Sequence, residues 1–155
     1  VGKGDAWWRT DFPGGWPGDK VNAFTSAGRT ALQNEMFDHT RTLMQWRKTS
    51  PAVTAGKLKH FMPFGDLVNT YVYFRYTPDF KDLVMVVINN GVEPVSLDWA
   101  HYAEIFDAAA EARAVAGTGA SSVTFTGCDI LTGATVSSST GSLTVPGMAS
   151  MVIQF

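Results

Sequence analysis

The sequence has a single cysteine, Cys128, in 155 residues. That excludes an internal disulfide and any zinc site built on cysteine ligands, and it leaves the redox compartment open. Charge of one sign is also in short supply. Twelve Lys and Arg stand against 14 Asp and Glu without a run of either, so no electrostatic footprint exists for nucleic acid or an anionic membrane surface. Long apolar runs are missing too. The longest, LVMVVI at Leu83–Ile88, falls far short of the ~20 residues a membrane-spanning helix needs. Histidine is sparse: His39, His60 and His101 lie far apart without HExxH-like spacing, so each is expected at the surface or core edge and not on a metal. No Gly-Lys-Ser/Thr follows Gly117 and Gly119, no G-x-S-x-G elbow occurs, and Cys128 has no evident His partner. Taken bare, the residues define no catalytic set and no metal site.

What is present fits one domain of roughly 100–200 residues. A chain of this length buries about 68–70% of its unfolded surface, enough for its own core. Residues 1–29 are loop-like, and the chain opens at Val1 as the interior of a longer polypeptide would. Thr30 and Gln33 match a capping box, and good helix formers run on to Lys48 before Ser50-Pro51 stops the helix. Leu32, Met36 and Leu43, widened by Phe37, Met44 and Trp46, make an apolar stripe expected to pack on a core. From Leu58 onward the period changes. Tyr71–Tyr76, Leu83–Asn89, Val95–Leu97, Val123–Phe125, Thr135–Val136, Leu143–Val145 and Met151–Phe155 are short β-branched or aromatic runs separated by turn residues. LVMVVI is apolar on both faces, as a central strand would be. Trp99–Phe106 reads as a short helix and Asp107–Ser122 as an Ala/Gly-rich mobile excursion. Many short strands at this spacing indicate an antiparallel sandwich or barrel.

One stretch stands out within the loop. Residues 11–19 read DFPGGWPGD, directly after the aromatic pair in GDAWWRT. Pro fixes φ and lacks an N–H, and Gly is cheapest where φ is positive, so neither helix nor central strand is possible here. Such a stretch is either a tight turn with Trp16 plugging a small loop core, or a surface shaped to meet a ligand.

The segment GDAWWRTDFPGGWPGDKVNAF, followed by FDHTRTLMQWRKTSPAVTAGKLKHF, resembles the end of a bacterial α-amylase-family glycoside hydrolase of the cyclomaltodextrinase and neopullulanase-like kind. In that family an Arg-x-Asp-Phe-Pro-Gly-Gly-Trp segment belongs to the loop after the eighth barrel strand. A helix ending like Leu43-Met-Gln-Trp46-Arg47-Lys48-Thr-Ser-Pro51-Ala52-Val-Thr-Ala-Gly56 then closes the (β/α)8 barrel. The resemblance implies a mainly β fold: an antiparallel β-sandwich C-terminal domain preceded by a loop and one long α-helix left over from the barrel. It places residues 1–56 at the end of the barrel domain and residues 57–155 in the sandwich. It further implies a rim of the sugar-binding cleft in the loop, with Trp16 stacking on a pyranose and Arg9 or Asp11 hydrogen-bonding sugar hydroxyls.

The family's catalytic carboxylates sit in Gly-Phe-Arg-x-Asp, on a Glu-bearing strand and in Asn-His-Asp, and none of these occurs; Asp38-His39 is in reversed order. A retaining glycosidase needs nucleophile and acid/base about 5–5.5 Å apart. The chain therefore reads as the C-terminal fragment of an α-glucan hydrolase, without the catalytic carboxylates. Its implied partners are the catalytic barrel of the same parent chain and an α-glucan oligosaccharide, with possible self-association of the fragment through the helix and the loop. No cofactor is expected in the fragment, and a structural calcium, if the parent holds one, lies outside it. The compartment stays open, with a bacterial periplasmic or secreted setting favoured by the resemblance. Two other classes remain: a free-standing carbohydrate-binding module, which needs a row of exposed aromatics for which Tyr71, Tyr73 and Phe74 are candidates, and a structural sandwich without sugar contact.

The expected outcome for the chain alone is no release of reducing ends from maltooligosaccharides or cyclodextrin at high protein concentration, because the covalent route has lost both its acid and its nucleophile. Turnover abolished by replacing any Asp or Glu of this chain would overturn the fragment reading.

Overall fold

The computed structural model describes residue 4, residues 11–114 and residues 123–155. Two compact units divide between Arg41 and Thr42.

The first unit holds the loop and most of helix α1 (Ala31–Arg47). The capping box forms as its residues require: the Gln33 N–H donates to Thr30 Oγ1 at 3.3 Å, and the Thr30 N–H donates to Gln33 Oε1 at 2.9 Å. The apolar stripe does not pack as expected. No residue of α1 is buried, and Leu32 is 71% exposed and Met36 62%. Only Leu43 and Trp46, near its C-terminal end, meet a core cluster.

The second unit is a β-sandwich with a helical flank. Strands β1 (Lys57–Phe61), β2 (Thr70–Tyr76), β3 (Leu83–Asn89), β5 (Thr126–Asp129), β6 (Thr135–Ser137) and β8 (Ala149–Gln154) form a six-stranded sheet in the order β1-β2-β3-β8-β5-β6. Strands β4 (Val95–Asp98) and β7 (Ser142–Val145) form a second, two-stranded sheet. Every pairing in both is antiparallel. One face of the large sheet presents Val72, Phe74, Leu83, Met85, Val87 and Ile153 to the main core, where Leu97, Leu143 and Val145 of the small sheet meet them. Helix α3 (Ala103–Arg113), entered through a 3-10 turn at Trp99–Tyr102, covers the remainder with Ile105, Phe106, Ala109 and Ala110. Phe106 sits at the centre of an aromatic group, edge-on to Phe74 at 5.7 Å and to Phe155 at 5.3 Å.

Two expectations are corrected here and one is extended. Asp107–Arg113 is not an excursion but the body of α3, because alanine has the highest helix propensity and lets the helix lie close on the core. Helix α1 does end ahead of Ser50-Pro51, but Pro51 also starts a further, unexpected helix. It occupies the first turn of helix α2 (Pro51–Ala55), where its missing N–H costs nothing, and Ser50 caps that helix by accepting from the Val53 N–H at 3.3 Å. Val123–Phe125 lies outside any strand, and the ladder begins one residue later at Thr126.

Strand β3 is central, as its composition predicts, and it is buried for two separate reasons. Leu83, Met85 and Val87 face the main core, while Val84 packs on the opposite face with Ala52 and Val152. This second cluster is held by polar contacts around Asp82, which is 8% exposed. Its Oδ2 accepts from the Ser50 hydroxyl at 2.6 Å and from the Ala52 N–H at 2.9 Å. Its Oδ1 accepts from the Gln154 amide at 2.7 Å, and Gln154 Oε1 accepts from the Trp46 indole at 2.7 Å.

Replacing Asp82 with Ala leaves three donors in or near the interior without their acceptor. The expected cost is about 3 kcal/mol or more, read as a lower midpoint in urea unfolding with unchanged slope. A midpoint within error of the wild type would show that water takes over all three bonds.

Candidate functional site

The DFPGGWPGD stretch, whose sequence suggested ligand contact, lies in a loop over residues 11–28 whose fold is set by local bonds. Gly14, Gly15 and Gly18 adopt φ of +111°, +98° and +95°. At Gly14 a side chain is also sterically impossible, since a Cβ would stand 2.8 Å from the Asn22 Cα. The Ala23 N–H donates to the Pro13 carbonyl at 2.8 Å, closing the loop on itself. Asp19 then shapes the tip: its Oδ2 accepts from the Trp16 N–H at 3.0 Å, while its own N–H donates to the Trp16 carbonyl at 3.2 Å. Arg29 ties the far end down, donating to the Ala23 carbonyl at 2.9 Å and to Asn34 Oδ1 at 2.8 Å, with its guanidinium 4.0 Å over the Phe37 ring.

Trp16 is 71% exposed, so it does not plug a loop core; Phe12 and Phe24, also exposed, pair in a tilted contact with ring centroids 4.8 Å apart. Asp11, Phe12, Pro13, Trp16 and Asp19 together line an open depression of about 570 Å³. An exposed indole beside two carboxylates supplies a stacking surface and hydrogen-bond acceptors, the chemistry a polyol can use. Arg9 lies outside the described residues. The fold thus brings Asp11 and Trp16 to one depression and adds Asp19, which the sequence did not single out as a contact.

A second concavity, of about 340 Å³, lies on the outer face of the large sheet, lined by Arg47, Val53, Leu58, His60, Tyr71, Tyr73 and Arg75. The alternation of β2 puts Tyr71, Tyr73 and Arg75 on that face and Phe74 in the core at 0% exposure, so Phe74 is no surface aromatic. The rings of Tyr71 and Tyr73 stand 5.5 Å apart, and His60 stacks on Tyr71 at 5.8 Å with its Nδ1 hydrogen-bonded to the Tyr71 hydroxyl. Burial first, and the neighbouring Tyr71 second, hold the Tyr73 phenol above its usual range, against the pull of Arg75. Arg75 is committed elsewhere: it donates to the carbonyls of Ala52 at 3.1 Å, Val53 at 3.3 Å and Gly56 at 2.8 Å, satisfying the C-terminal end of α2. Among the described residues no group of three or more His, Cys, Asp or Glu side chains is placed to hold a metal ion.

The fold is found again in several solved structures. Similar solved structures include an AmyP mutant in complex with maltotriose (16% identity, TM-score 0.56, covering 89% of this chain and 23% of that one). An alpha-amylase from Anoxybacillus matches at 15% identity and TM-score 0.52, over 77% of this chain and 22% of that one. A mutant of the trehalulose synthase MutB in complex with Tris matches at 18% identity and TM-score 0.53, over 90% and 22%. At such identities the likeness speaks for the fold, and this chain spans about a fifth of the length of those structures. The kind of sandwich is narrower than that. Residues 58–124 match the family model of the cyclo-malto-dextrinase C-terminal domain.

Proposed function

We propose that the parent protein is a glycoside hydrolase acting on α-1,4-glucans or cyclodextrins, and that this chain supports its catalytic barrel without contributing a catalytic carboxylate. The observation that carries the reading is the match of residues 58–124 to a cyclo-malto-dextrinase C-terminal domain, placed directly after an amylase-like RTDFPGGW loop and closing helix. In this reading residues 1–56 finish the barrel domain and residues 57–155 are the sandwich that follows. The hydrogen bonds from Trp46, Ser50 and Ala52 to Gln154 and Asp82 are the means by which the sandwich holds the end of the closing helix. Any structural calcium of the parent lies outside this chain.

The loop is read as part of the rim of the sugar cleft. Trp16 stacks on a pyranose face, and Asp11 and Arg9 hydrogen-bond hydroxyls. The exposure of Trp16 and its place beside Asp11 favour this over a purely structural turn. A free-standing carbohydrate-binding module is less well supported, since the burial of Phe74 leaves Tyr71 and Tyr73 without the third member of an aromatic row.

In the parent, Asp11→Ala and Trp16→Ala are expected to raise KM for maltooligosaccharides several-fold with kcat little changed, the pattern of lost uniform binding. An unchanged KM in both variants would move the loop off the sugar path. A parent that releases no reducing sugar from α-1,4-glucans or cyclodextrins would overturn the function as a whole.

The exposed apolar residues of α1, together with Phe12, Trp16 and Phe24 of the loop, also support self-association of the isolated chain. Light scattering coupled to size exclusion is expected to give a mass above that of one chain, falling toward it on dilution. A single-chain mass at every concentration would refute this.

A further inference from the structure

The buried row of strand β2 holds Thr70, Val72 and Phe74, and one of the three is out of character. Val72 and Phe74 are apolar and belong to the main core. Thr70, at the head of the row, is only 3% exposed, and its hydroxyl has no hydrogen-bond partner. A hydroxyl taken out of water without a partner destabilises a fold, whereas valine fills almost the same shape with no polar atom to satisfy.

Thr70 also lines a small cavity of about 10 Å³. Its other walls come from three parts of the chain: Phe61 at the end of β1, Phe64 and Leu67 in the connection to β2, and His101 and Tyr102 in the 3-10 turn that leads into α3. Ring contacts join these walls, since Phe61 is edge-on to Tyr102 at 5.0 Å and Phe64 lies 4.3 Å from His101. Tyr102 is 2% exposed, and burial alone pushes its phenol up to about 12, so this hydroxyl stays neutral and able to donate. Room of this size admits one water and neither a hydrated ion nor a sugar ring. Among the described residues no carboxylate or ammonium lines the cavity, which also argues against an ion. We infer that the cavity is the binding site of a single structural water that bridges the Thr70 and Tyr102 hydroxyls. Each hydroxyl can both donate and accept, and two polar partners are the fewest that hold a buried water. The water thereby ties the head of β2 to the turn before α3, under the cover of Phe64 and Leu67.

Thr70→Val tests this by the sign of its effect. With the water in place the variant loses an anchor and strands the Tyr102 hydroxyl, so the urea midpoint is expected to fall with unchanged slope. If the hydroxyl were unpartnered and dry, the same variant would relieve a desolvation cost; a midpoint that rises would therefore overturn the inference. Tyr102→Phe is expected to lower the midpoint as well, and the double variant to lower it by clearly less than the sum of the two, as for groups that share one partner. Strictly additive losses would overturn the bridge. Water relaxation dispersion gives a direct readout in solution. One long-lived water fewer is expected in Thr70→Val than in the wild type, while Thr70→Ser, which keeps the hydroxyl, is expected to keep the water. The same count in all three proteins would overturn the site. A crystal structure is expected to place one water oxygen within about 3 Å of Thr70 Oγ1. Density there showing Oγ1 bonded directly to a protein carbonyl would overturn it too.

Discussion

The Asp82 carboxylate is the contact on which the architecture of the second unit turns. It stands at the head of β3, the most buried strand, and it faces the first turn of α2 from thirty residues further along the chain. From there it accepts from a side-chain hydroxyl, a backbone N–H and a side-chain amide, each from a different part of the sequence. The N–H of Ala52 is one of the donors that every helix start leaves without an internal partner, and a helix of five residues depends on such outside contacts. The Arg113 guanidinium donates to the Phe80 carbonyl at 2.7 Å; burial holds its pKa below the usual range, against the favourable charges of Asp79 and Asp82. Helix start, central strand and final strand thus share one acceptor, while Arg75 of β2 ties the other end of α2 to the sheet.

That arrangement explains why the sandwich has two unlike faces. The inner face is closed by large side chains from both sheets and α3, interlocked around Phe106. On the outer face the closing elements are short and polar-tethered, and they stop partway across. The sheet is therefore closed on one side and only partly covered on the other.

How much of this the sequence disclosed depends on the range of the interactions involved. The capping box at Thr30 and Gln33 and the strands rich in β-branched residues, β2, β3, β7 and β8, are local signals and are found where expected. Strand β1 escaped notice because KLKHF is an edge strand whose Lys and His face solvent, and β5 because TGCD has almost no apolar side chain. Pro51 is rightly read as the stop of α1, but the short helix it opens is held by a bond from the Ala52 N–H to the distant Asp82, which no local pattern announces. The stripe on α1 obeyed helical periodicity, but periodicity tells which residues share a face and not what that face will meet. For the loop, Gly14 and Trp16 announced an unusual backbone and an unusual side chain; the pairing of Asp19 with Trp16 needed the fold.

Strand order has a consequence for how this protein is made. The immediate neighbour of β3 in the sheet is β8, which the ribosome delivers long after it. Until then the LVMVVI edge has its partner on one side only, and Asp82 lacks the Gln154 amide. An interrupted chain would thus carry a long, flat aliphatic edge, the form of strand most prone to pair with other molecules. Emergence of β8 and concealment of that edge are the same event, so products cut short before β8 differ from longer ones in surface chemistry as well as in length. Proteases and chaperones that recognise exposed aliphatic strands would sort the two without reading anything else.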